Sequence, residues 1–268
     1  MSKTILITGA TDGIGLETAE MLVSMGHHVL LHGRNPSKLA DTERKLAAQT
    51  GGERVESYLA DLSSLANVAE FAIAVTEKHD KLDVLINNAG VYNTDSPVTQ
   101  DGLDVRFVVN AIAPYVLTQK LLPLFGESGR VLNVSSAAQS PVDLRALAGE
   151  VSLVASAAYA QSKLAMIMWS RSLAQSIGSR GPSVIAVNPG SLLGSKMVKQ
   201  AFGIPGGDIR VGAKILTRLA LEDEFADVSG EYFDNDLGRF NAPHADALDA
   251  QKVQAVVECI ENIIAAER

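Results

Sequence analysis

The sequence predicts an α/β fold, a single doubly wound parallel sheet flanked by helices on both faces. Short runs rich in β-branched residues alternate along the chain with longer stretches in which apolar residues recur every three or four positions. Glycine-rich or amide-rich segments follow several of these runs. Because the carboxyl ends of parallel strands meet at one edge of a sheet, we expect these segments to converge in one crevice.

The predicted elements follow in order along the chain. Runs of Val, Ile and Leu predict strands at residues 4–7, 28–31, 55–59, 84–86, 130–134 and 184–187. Helical spacing predicts helices at residues 15–25, 37–49, 65–78, 102–125 and 157–177, and a last helix over residues 245–266 that covers a sheet edge or meets a neighbouring subunit. Residues 202–208, rich in Gly and Pro, predict a mobile loop, either a lid or a helix connection.

Length, charge and cysteine content exclude several classes of protein. The 268 residues suffice for one large domain, expected to span residues 1–268. A net charge of -8 without basic clusters argues against a nucleic-acid partner. The single cysteine, Cys259, permits no intrachain disulfide, which favours a reducing, cytoplasmic setting. No apolar run approaches the roughly 20 residues of a membrane span, and the histidines lack metal-ligand spacing, so neither a span nor a metal is expected.

The segment Thr8-Gly-Ala-Thr-Asp-Gly-Ile-Gly15 joins the first strand to the first helix. A strand-to-helix turn of this kind directs backbone N–H groups and the helix dipole at a pyrophosphate. Gly9 permits the tight turn, while Gly13 and Gly15 let backbone and helix approach the phosphates. The spacing differs from Gly-x-Gly-x-x-Gly, so an ordinary glycine turn is the alternative.

The end of the second strand bears on the choice of nicotinamide cofactor. Cofactors without a 2′-phosphate usually meet a carboxylate here, whereas this sequence has Gly33 and Arg34. A guanidinium suits a phosphate, so we predict NADP(H) as the cofactor, with a solvated surface charge as the alternative role of Arg34. Asp12 in the glycine turn is a contrary sign, because a basic residue there would help the phosphate. His32 is expected at the surface rather than near the adenosine.

The third and fourth strand ends supply further candidate contacts. The Asp61 carboxylate holds the adenine, caps the helix that follows at residues 63–78, or does both. Asn87-Asn-Ala-Gly90 offers small residues beside two amides that tie strand ends together. The predicted cofactor contacts are Gly9, Thr11, Asp12, Gly13, Ile14, Gly15, Arg34, Asp61, Leu62, Asn88, Ala89, Gly90, Tyr159, Lys163, Pro189, Gly190 and Leu192.

Tyr159 and Lys163 stand four positions apart on a predicted helix, so their side chains project from one face. A free tyrosine has a pKa of about 10. An ammonium ~4 Å away, at an effective dielectric constant near 20, is worth about 4 kcal/mol, enough to lower the phenol pKa by up to roughly three units. Tyr159 is therefore predicted to donate a proton to a carbonyl oxygen while hydride arrives from NADPH, or to accept it in the reverse direction.

Two other polar groups are candidates for the same chemistry. Ser135 and Ser136 end the fifth strand, where a hydroxyl can fix a carbonyl substrate; a simple strand-end pair is the alternative. Asn110 lies inside a predicted helix, an unfavourable place for an amide that has no polar task. We expect it to hold a water that relays protons to Lys163, or to be a satisfied amide in a kinked helix.

These motifs, with Asn133-Val-Ser-Ser136 and Asn188-Pro-Gly190, resemble those of the short-chain dehydrogenase/reductase family, and the likeness covers nearly the whole chain. The resemblance implies a Rossmann-type domain. It also implies a catalytic set, which by motif consists of Ser136, Tyr159, Lys163 and Asn110.

Further expectations follow from the same resemblance. It implies that Lys163 bonds the nicotinamide ribose. It implies a homodimer or homotetramer, whose subunit faces would lie on the helices of residues 102–125 and 157–177. Met166, Met168 and Trp169 would then be interface or core residues.

The sequence departs from the family pattern in two places. The stretch between Ser136 and Tyr159 is longer than usual, as in retinol-dehydrogenase-like and protochlorophyllide-reductase-like members, and residues 139–156 should border the substrate pocket. Ser195 stands where the family often has a threonine that holds the carboxamide. The pocket should be bounded by Val91, Tyr92, Leu147, Leu192, Leu193, Met197 and Phe202, walls that favour an apolar carbonyl or alcohol.

The function predicted from these observations is that of an NADP(H)-dependent oxidoreductase that interconverts a carbonyl and an alcohol. Two alternatives stand beside it. A non-catalytic NADP(H)-binding redox sensor tends to lack the tyrosine or the lysine, and both are present. An epimerase or dehydratase of the related extended group carries a further substrate domain, for which too few residues follow Gly190.

Overall fold

An eight-stranded sheet organises residues 2–49 and 54–266, the part of the chain that this computed structural model describes. The strand order is β3-β2-β1-β4-β5-β6-β7-β8, with β1 to β7 parallel and β8 antiparallel to β7. The strands are β1 Thr4–Ile7, β2 His28–Gly33, β3 Val55–Leu59, β4 Val84–Asn87, β5 Arg130–Val134, β6 Ser183–Asn188, β7 Tyr232–Asp234 and β8 Arg239–Phe240. The predicted fold class is confirmed.

Ten α-helices occur in the described residues. They are α1 Gly13–Ser24, α2 Pro36–Ala47, α3 Leu65–Lys78, α4 Val105–Phe107, α5 Ala113–Leu121, α6 Leu144–Leu147, α7 Ala155–Ile177, α8 Lys196–Phe202, α9 Arg210–Leu221 and α10 Ala250–Ala266. A π-helical turn, Val108–Ile112, joins α4 to α5. Short 3-10 turns lie at Leu122–Leu124, Gly178–Arg180, Asp223–Phe225 and Ala245–Leu248.

Polar side chains fix where the first three helices begin. The side chains of Asp12, Asn35 and Ser64 accept backbone N–H groups at the starts of α1, α2 and α3. The expectation that Asp61 caps α3 is wrong. Its Oδ1 instead accepts hydrogen bonds from the backbone N and Oγ of Ser63, at 3.0 and 2.8 Å, which forms a local turn ahead of the helix.

The two faces of the sheet carry separate apolar cores. Alternate residues of a strand point to opposite faces, so Ile5 and Ile7 join one core while Leu6 joins the other. The first core is closed by α1, α2 and α9, and the second by α3, α5, α7 and α10. This arrangement explains why the central strands are apolar over most of their length.

The C-terminal helix α10 covers α7 within the same chain. Val256 and Ile260 on α10 are buried in the core that also contains Met166, Met168 and Trp169 of α7. The last three side chains are at most 1% exposed, so they are core residues of one chain. The helix α10 thus packs on α7 rather than on an edge of the sheet, and the expected contact with a neighbouring subunit stays a prediction.

The helical segment Val105–Leu124 corrects one expectation from the sequence. It is long and apolar enough to cross a membrane by length and composition alone. In the fold, 72% of this segment's most apolar stretch is buried, and the segment packs on the helices α3 and α7. Burial of this extent is typical of a core helix, so this one helix is weak evidence for a membrane span.

Several elements after Gly190 escaped prediction. They are α8, α9 and the β7–β8 hairpin.

The predicted loop of residues 202–208 begins at the last residue of α8, and its other end is hydrogen-bonded to the loop after β6. Gly207 donates its N–H to the Leu192 carbonyl and accepts from the Gly194 N–H, both at 2.8 Å, so the base of this segment is pinned to the loop after β6.

Candidate active site

A cleft with a volume of about 940 Å³ lies at the carboxyl ends of the strands, where the strand order reverses between β1 and β4. The predicted convergence of strand tips is therefore observed. Of the predicted site residues, those that line the cleft are Gly9, Thr11, Asp12, Gly13, Ile14, Arg34, Asp61, Leu62, Asn88, Ala89, Gly90, Ser136, Tyr159, Lys163, Pro189, Gly190 and Leu192. Gly15 and Asn110 do not line it.

The glycine turn depends on its glycines for two different reasons. Gly9 and Gly13 have φ values of +66° and +61°, a left-handed conformation that favours glycine. Gly15 lies beneath the turn: a Cβ there would stand 2.3 Å from the Gly9 carbonyl oxygen and 2.4 Å from Asn88 Nδ2. The turn thus leaves its backbone open to the cleft, as a bound pyrophosphate requires, and packs α1 tightly underneath.

His32 supports this turn from below, and the expectation of a surface histidine is wrong. The ring is 2% exposed and stacks on Phe71 at a centroid distance of 4.9 Å. Its Nδ1 accepts the Gly9 N–H at 3.1 Å, and its Nε2 lies 3.1 Å from the Ala60 carbonyl oxygen, which makes the neutral Nε2–H tautomer the consistent one. Burial lowers the pKa of His32 to about 4, so the ring is neutral at physiological pH.

Two cations stand at the end of the cleft formed by β2 and α2. Arg34 is exposed, and among residues 2–49 and 54–266 its guanidinium has no ion-pair partner within bonding distance. Lys38, which sequence analysis missed, lines the same region and places its Nζ 3.7 Å from Asp12 Oδ2. Asp12 also accepts the Gly13 N–H at 2.8 Å. Its carboxylate therefore caps α1 and pairs with Lys38, which accounts for an acidic residue in the turn.

The amides after β4 tie the strand ends together, as predicted. Asn87 donates from Nδ2 to Asn133 Oδ1 at 2.8 Å and to Thr118 Oγ1 at 3.0 Å. Asn88 donates from Nδ2 to the carbonyl oxygens of Thr8 and Gly9 at 2.9 and 3.1 Å. These bonds fix the glycine turn against β4. Ala89 and Gly90, whose side chains are small or absent, line the cleft next to the turn.

Tyr159 and Lys163 of α7 reach the middle of the cleft beside Ser136. Lys163 is 3% exposed, donates from Nζ to the Val134 carbonyl oxygen at 2.7 Å, and lies 5.6 Å from the centroid of the Tyr159 ring. The Ser136 side chain lies beside the Tyr159 phenol, where its interaction with the hydroxyl works to lower the phenol pKa, and its Oγ accepts the Ala138 N–H at 3.1 Å. A serine, a phenol and an amine thus face one space that is open to the cleft.

Burial, and not attraction between charges, controls the ionisation of this pair. Enclosure by protein atoms raises the pKa of Tyr159, and the interaction with Ser136 offsets that only in part. The same enclosure lowers the pKa of Lys163 to about 7. The prediction that Lys163 lowers the pKa of Tyr159 is therefore wrong in this state, because it counted the charge of Lys163 and omitted the desolvation of both groups.

Asn110 lies at the centre of the π-helical turn, and its amide is hydrogen-bonded. Its Nδ2 donates to the Val91 carbonyl oxygen and to Ser162 Oγ, both at 3.0 Å, and its Oδ1 accepts the Val91 N–H at 2.8 Å. The amide is thus satisfied within a distorted helix, as one alternative expected. Both amide donors of Asn110 are used, whereas its Oδ1 accepts one bond and retains a second lone pair, so the relay water stays a prediction.

The expected pocket walls are present with one exception. The ring of Tyr92 is tilted against those of Tyr159 and Phe202, at centroid distances of 4.9 and 5.8 Å. Val91, Leu192, Leu193 and Met197 line the same region. Leu147 is 0% exposed and belongs to the core. Of residues 139–156, which were expected to border the pocket, only Ser156 lines the cleft; α6 packs on α10 instead.

Ser195 caps α8 and also lines the cleft. Its Oγ accepts the Val198 N–H at 3.2 Å and so caps the helix, while its Cβ lies near Gly13 across the cleft.

Among the described residues, no group of three or more His, Cys, Asp and Glu side chains is arranged to hold a metal ion.

The family model for short chain dehydrogenase matches residues 3–203, which include every cleft-lining residue from Gly9 to Phe202. The chain belongs to the short-chain dehydrogenase/reductase family. Human retinol dehydrogenase 13 is 32% identical over 263 residues, covering 91% of this chain and 80% of that protein. Human polyprenol dehydrogenase is 35% identical over 210 residues, covering 75% of this chain and 63% of that protein.

Solved structures of the family share the fold. A protein from Mycobacterium paratuberculosis superposes with a TM-score of 0.79 at 27% identity, covering 97% of this chain and 92% of that one. A protein described as a short-chain dehydrogenase from Escherichia coli CFT073, solved with NADPH, gives 0.72 at 27% identity and covers 87% and 96%. The chain is an oxidoreductase of the retinol-dehydrogenase-like branch, with a nicotinamide cofactor and a small-molecule substrate.

Proposed function

We propose that this protein interconverts an apolar carbonyl compound and its alcohol with NADP(H), using Tyr159 as the general acid and base. The observation that carries the proposal is the shared space in front of Ser136, Tyr159 and Lys163 in a cleft whose other end carries Arg34 and Lys38. A carbonyl placed there meets a proton donor, while the far end of the same cleft suits a phosphate.

The residues of the cleft fit a dinucleotide from end to end. Arg34 and Lys38 suit the 2′-phosphate, because two cations at one end of a cleft attract a dianion. The turn from Gly9 to Gly13, at the start of α1, suits the pyrophosphate. Asp61 and Leu62 line the adenine end, and Pro189, Gly190 and Leu192 line the nicotinamide end. When bound, the nicotinamide supplies or takes up the hydride.

Tyr159 is suited to give a proton to a carbonyl oxygen. Burial raises the pKa of its phenol, so the hydroxyl keeps its proton at neutral pH and can donate it when the oxygen becomes basic. Ser136 lies beside the phenol and is positioned to orient the same carbonyl oxygen. Lys163 holds the Val134 carbonyl at 2.7 Å, which fixes its amine below the phenol and beside the expected ribose position.

The walls of the cleft favour an apolar substrate. Tyr92 and Phe202 flank Tyr159, and Met197 and Leu193 extend the apolar surface. Two of the relatives are named for retinol and for polyprenol, both apolar alcohols. We take the substrate class to be an apolar aldehyde, ketone or alcohol, without a charged group close to the reacting carbon.

The test is turnover of NADPH with a panel of apolar aldehydes and ketones, followed by the absorbance of the reduced cofactor. We expect the wild-type protein to be active and Tyr159→Phe to lose at least about a hundredfold in kcat/KM while it still binds NADPH. Cys259→Ser, far from the cleft, is the matched control and should keep full activity. A Tyr159→Phe variant with the full rate contradicts the proposal, and a wild-type protein that binds NADPH but turns over no carbonyl favours the redox-sensor alternative.

A further inference from the structure

The loop after β6 has an unusual backbone conformation where it lines the cleft. Gly190 has a φ of +125°, and Leu192 has a φ of +51°, the one positive value outside glycine among residues 2–49 and 54–266. A leucine in this conformation costs free energy and persists only when its surroundings hold it. Contacts with neighbouring residues must therefore hold the segment from Asn188 to Leu192 in this conformation.

The tip of the β7–β8 hairpin supplies most of the hydrogen bonds to this segment. Asp236 Oδ1 accepts the Ser191 N–H at 2.8 Å, and its Oδ2 accepts from Ser191 Oγ at 2.5 Å and from Asn188 Nδ2 at 2.9 Å. Asn235 donates its N–H to the Asn188 carbonyl at 3.1 Å and its Nδ2 to the Pro189 carbonyl at 2.9 Å. The hairpin thus bonds three residues of this segment, Asn188, Pro189 and Ser191.

The chemistry of these contacts requires a carboxylate at position 236. Its partners present three donors, and an ionised carboxylate is a pure acceptor that can satisfy all of them. Partial burial works to raise the pKa of Asp236, but the hydrogen bonds from Ser191 and Asn188 outweigh it and keep the pKa below its ordinary value. An amide in its place would turn an NH₂ group toward at least one of the donors.

We infer that Asp236 is a positioning residue for the nicotinamide half of the cofactor. It acts through Ser191 and Asn188, which fix the loop that lines the nicotinamide end of the cleft opposite Tyr159. A small displacement of this loop changes the distance between the hydride-bearing carbon and the substrate, and such displacements are costly for rate. The adenine end, formed by Arg34 and Lys38, lies at β2 and α2, and four strands (β1, β4, β5 and β6) separate β2 from the hairpin in the sheet. The inference rests on the proposed function.

Two ligands separate a local role from a general loss of structure. NADPH carries both halves of the cofactor, whereas 2′,5′-ADP carries only the adenine half and its 2′-phosphate. In Asp236→Asn we expect the Kd for NADPH to rise about tenfold, with a comparable fall in kcat, and the Kd for 2′,5′-ADP to stay within about twofold. Ser191→Ala, which removes one of the three donors, should give a smaller change in the same direction.

Asp227→Asn is the matched control, because Asp227 is an exposed aspartate outside the cleft lining and should leave every value unchanged. Asp236→Asn with wild-type NADPH affinity and kcat overturns the inference. An equal loss of affinity for NADPH and 2′,5′-ADP also overturns it, since that pattern indicates general disruption. If the wild-type protein itself binds neither ligand, the proposed function fails, and this outcome is distinct from the other two.

Discussion

Lys163 Nζ lies 5.6 Å from the ring centroid of Tyr159, and burial drives both groups toward their neutral forms. The phenol has a raised pKa and keeps its proton, while the pKa of the amine is lowered to about 7. In this arrangement Tyr159 is already an acid, and Lys163 is the group whose charge changes near physiological pH. The pH dependence of the reaction should therefore report Lys163.

The first prediction concerns that pH dependence. We expect kcat/KM for carbonyl reduction to fall as pH rises through about 7, because Lys163 then loses the charge that strengthens its bond to the Val134 carbonyl and supports the neighbouring phenol. Lys163→Met should be slow throughout and lack this limb of the profile. Lys120→Met, an exposed lysine outside the cleft, is the control and should retain the wild-type profile. A limb near pH 7 that survives in Lys163→Met assigns the titration to another group.

The sequence predicted the sheet because most of its strands are short runs rich in apolar residues that lie between turn residues. Strands at residues 4–7, 55–59 and 130–134 match β1, β3 and β5 to the residue. The β7–β8 hairpin escaped because its strands have only three and two residues, too short for a periodic pattern. Helix α10 also cannot be assigned to its partner α7 from periodicity, which identifies an apolar face but not what covers it.

The candidate site was predictable where its residues stand in local motifs. The glycine turn, Arg34 and the Tyr159–Lys163 pair are of this kind, and the structure brings them to one cleft. The contacts of Lys38, His32 and Asp236 join segments that are distant in sequence or depend on side-chain direction. The directions of the pKa shifts of Tyr159 and Lys163 could not be predicted from the sequence either, since desolvation depends on the packing around each group.

The second prediction concerns cofactor preference. Arg34→Ala and Lys38→Ala should each raise the KM for NADPH about tenfold and leave that for NADH nearly unchanged, because each removes one cation from the region expected to hold the 2′-phosphate. Arg34→Asp should invert the preference. Steady-state kinetics with both cofactors measure the ratio, and Lys45→Ala on the exposed face of α2 serves as the control. Equal effects on NADPH and NADH would show that the two cations do not recognise the phosphate.

The third prediction tests the close packing beneath the glycine turn. In Gly15→Ala the new Cβ would stand 2.3 Å from the Gly9 carbonyl oxygen, so turn and helix must move apart. We expect the free energy of unfolding to fall by about 2–3 kcal/mol and the affinity for NADPH to fall with it. Gly126→Ala is a suitable control, because a Cβ at Gly126 meets no atom within 4 Å. Denaturant unfolding and cofactor titration measure both effects, and an unchanged Gly15→Ala would contradict the packing described here.

The fourth prediction concerns stability in acid. The folded-state pKa of His32 is about 4, below the ordinary 6.5, so the folded protein binds fewer protons than the unfolded chain between these values. The stability that the neutral ring contributes is therefore complete above pH 6.5 and is lost as pH falls toward 4, by up to about 3 kcal/mol.

His32→Gln should be less stable than wild type at pH 7, since it weakens the bonds to Gly9 and Ala60, and the difference should shrink as the pH falls. Denaturant unfolding at several pH values between 7 and 4 measures this convergence. A His32→Gln curve that runs parallel to that of the wild type would mean that His32 does not titrate in this range.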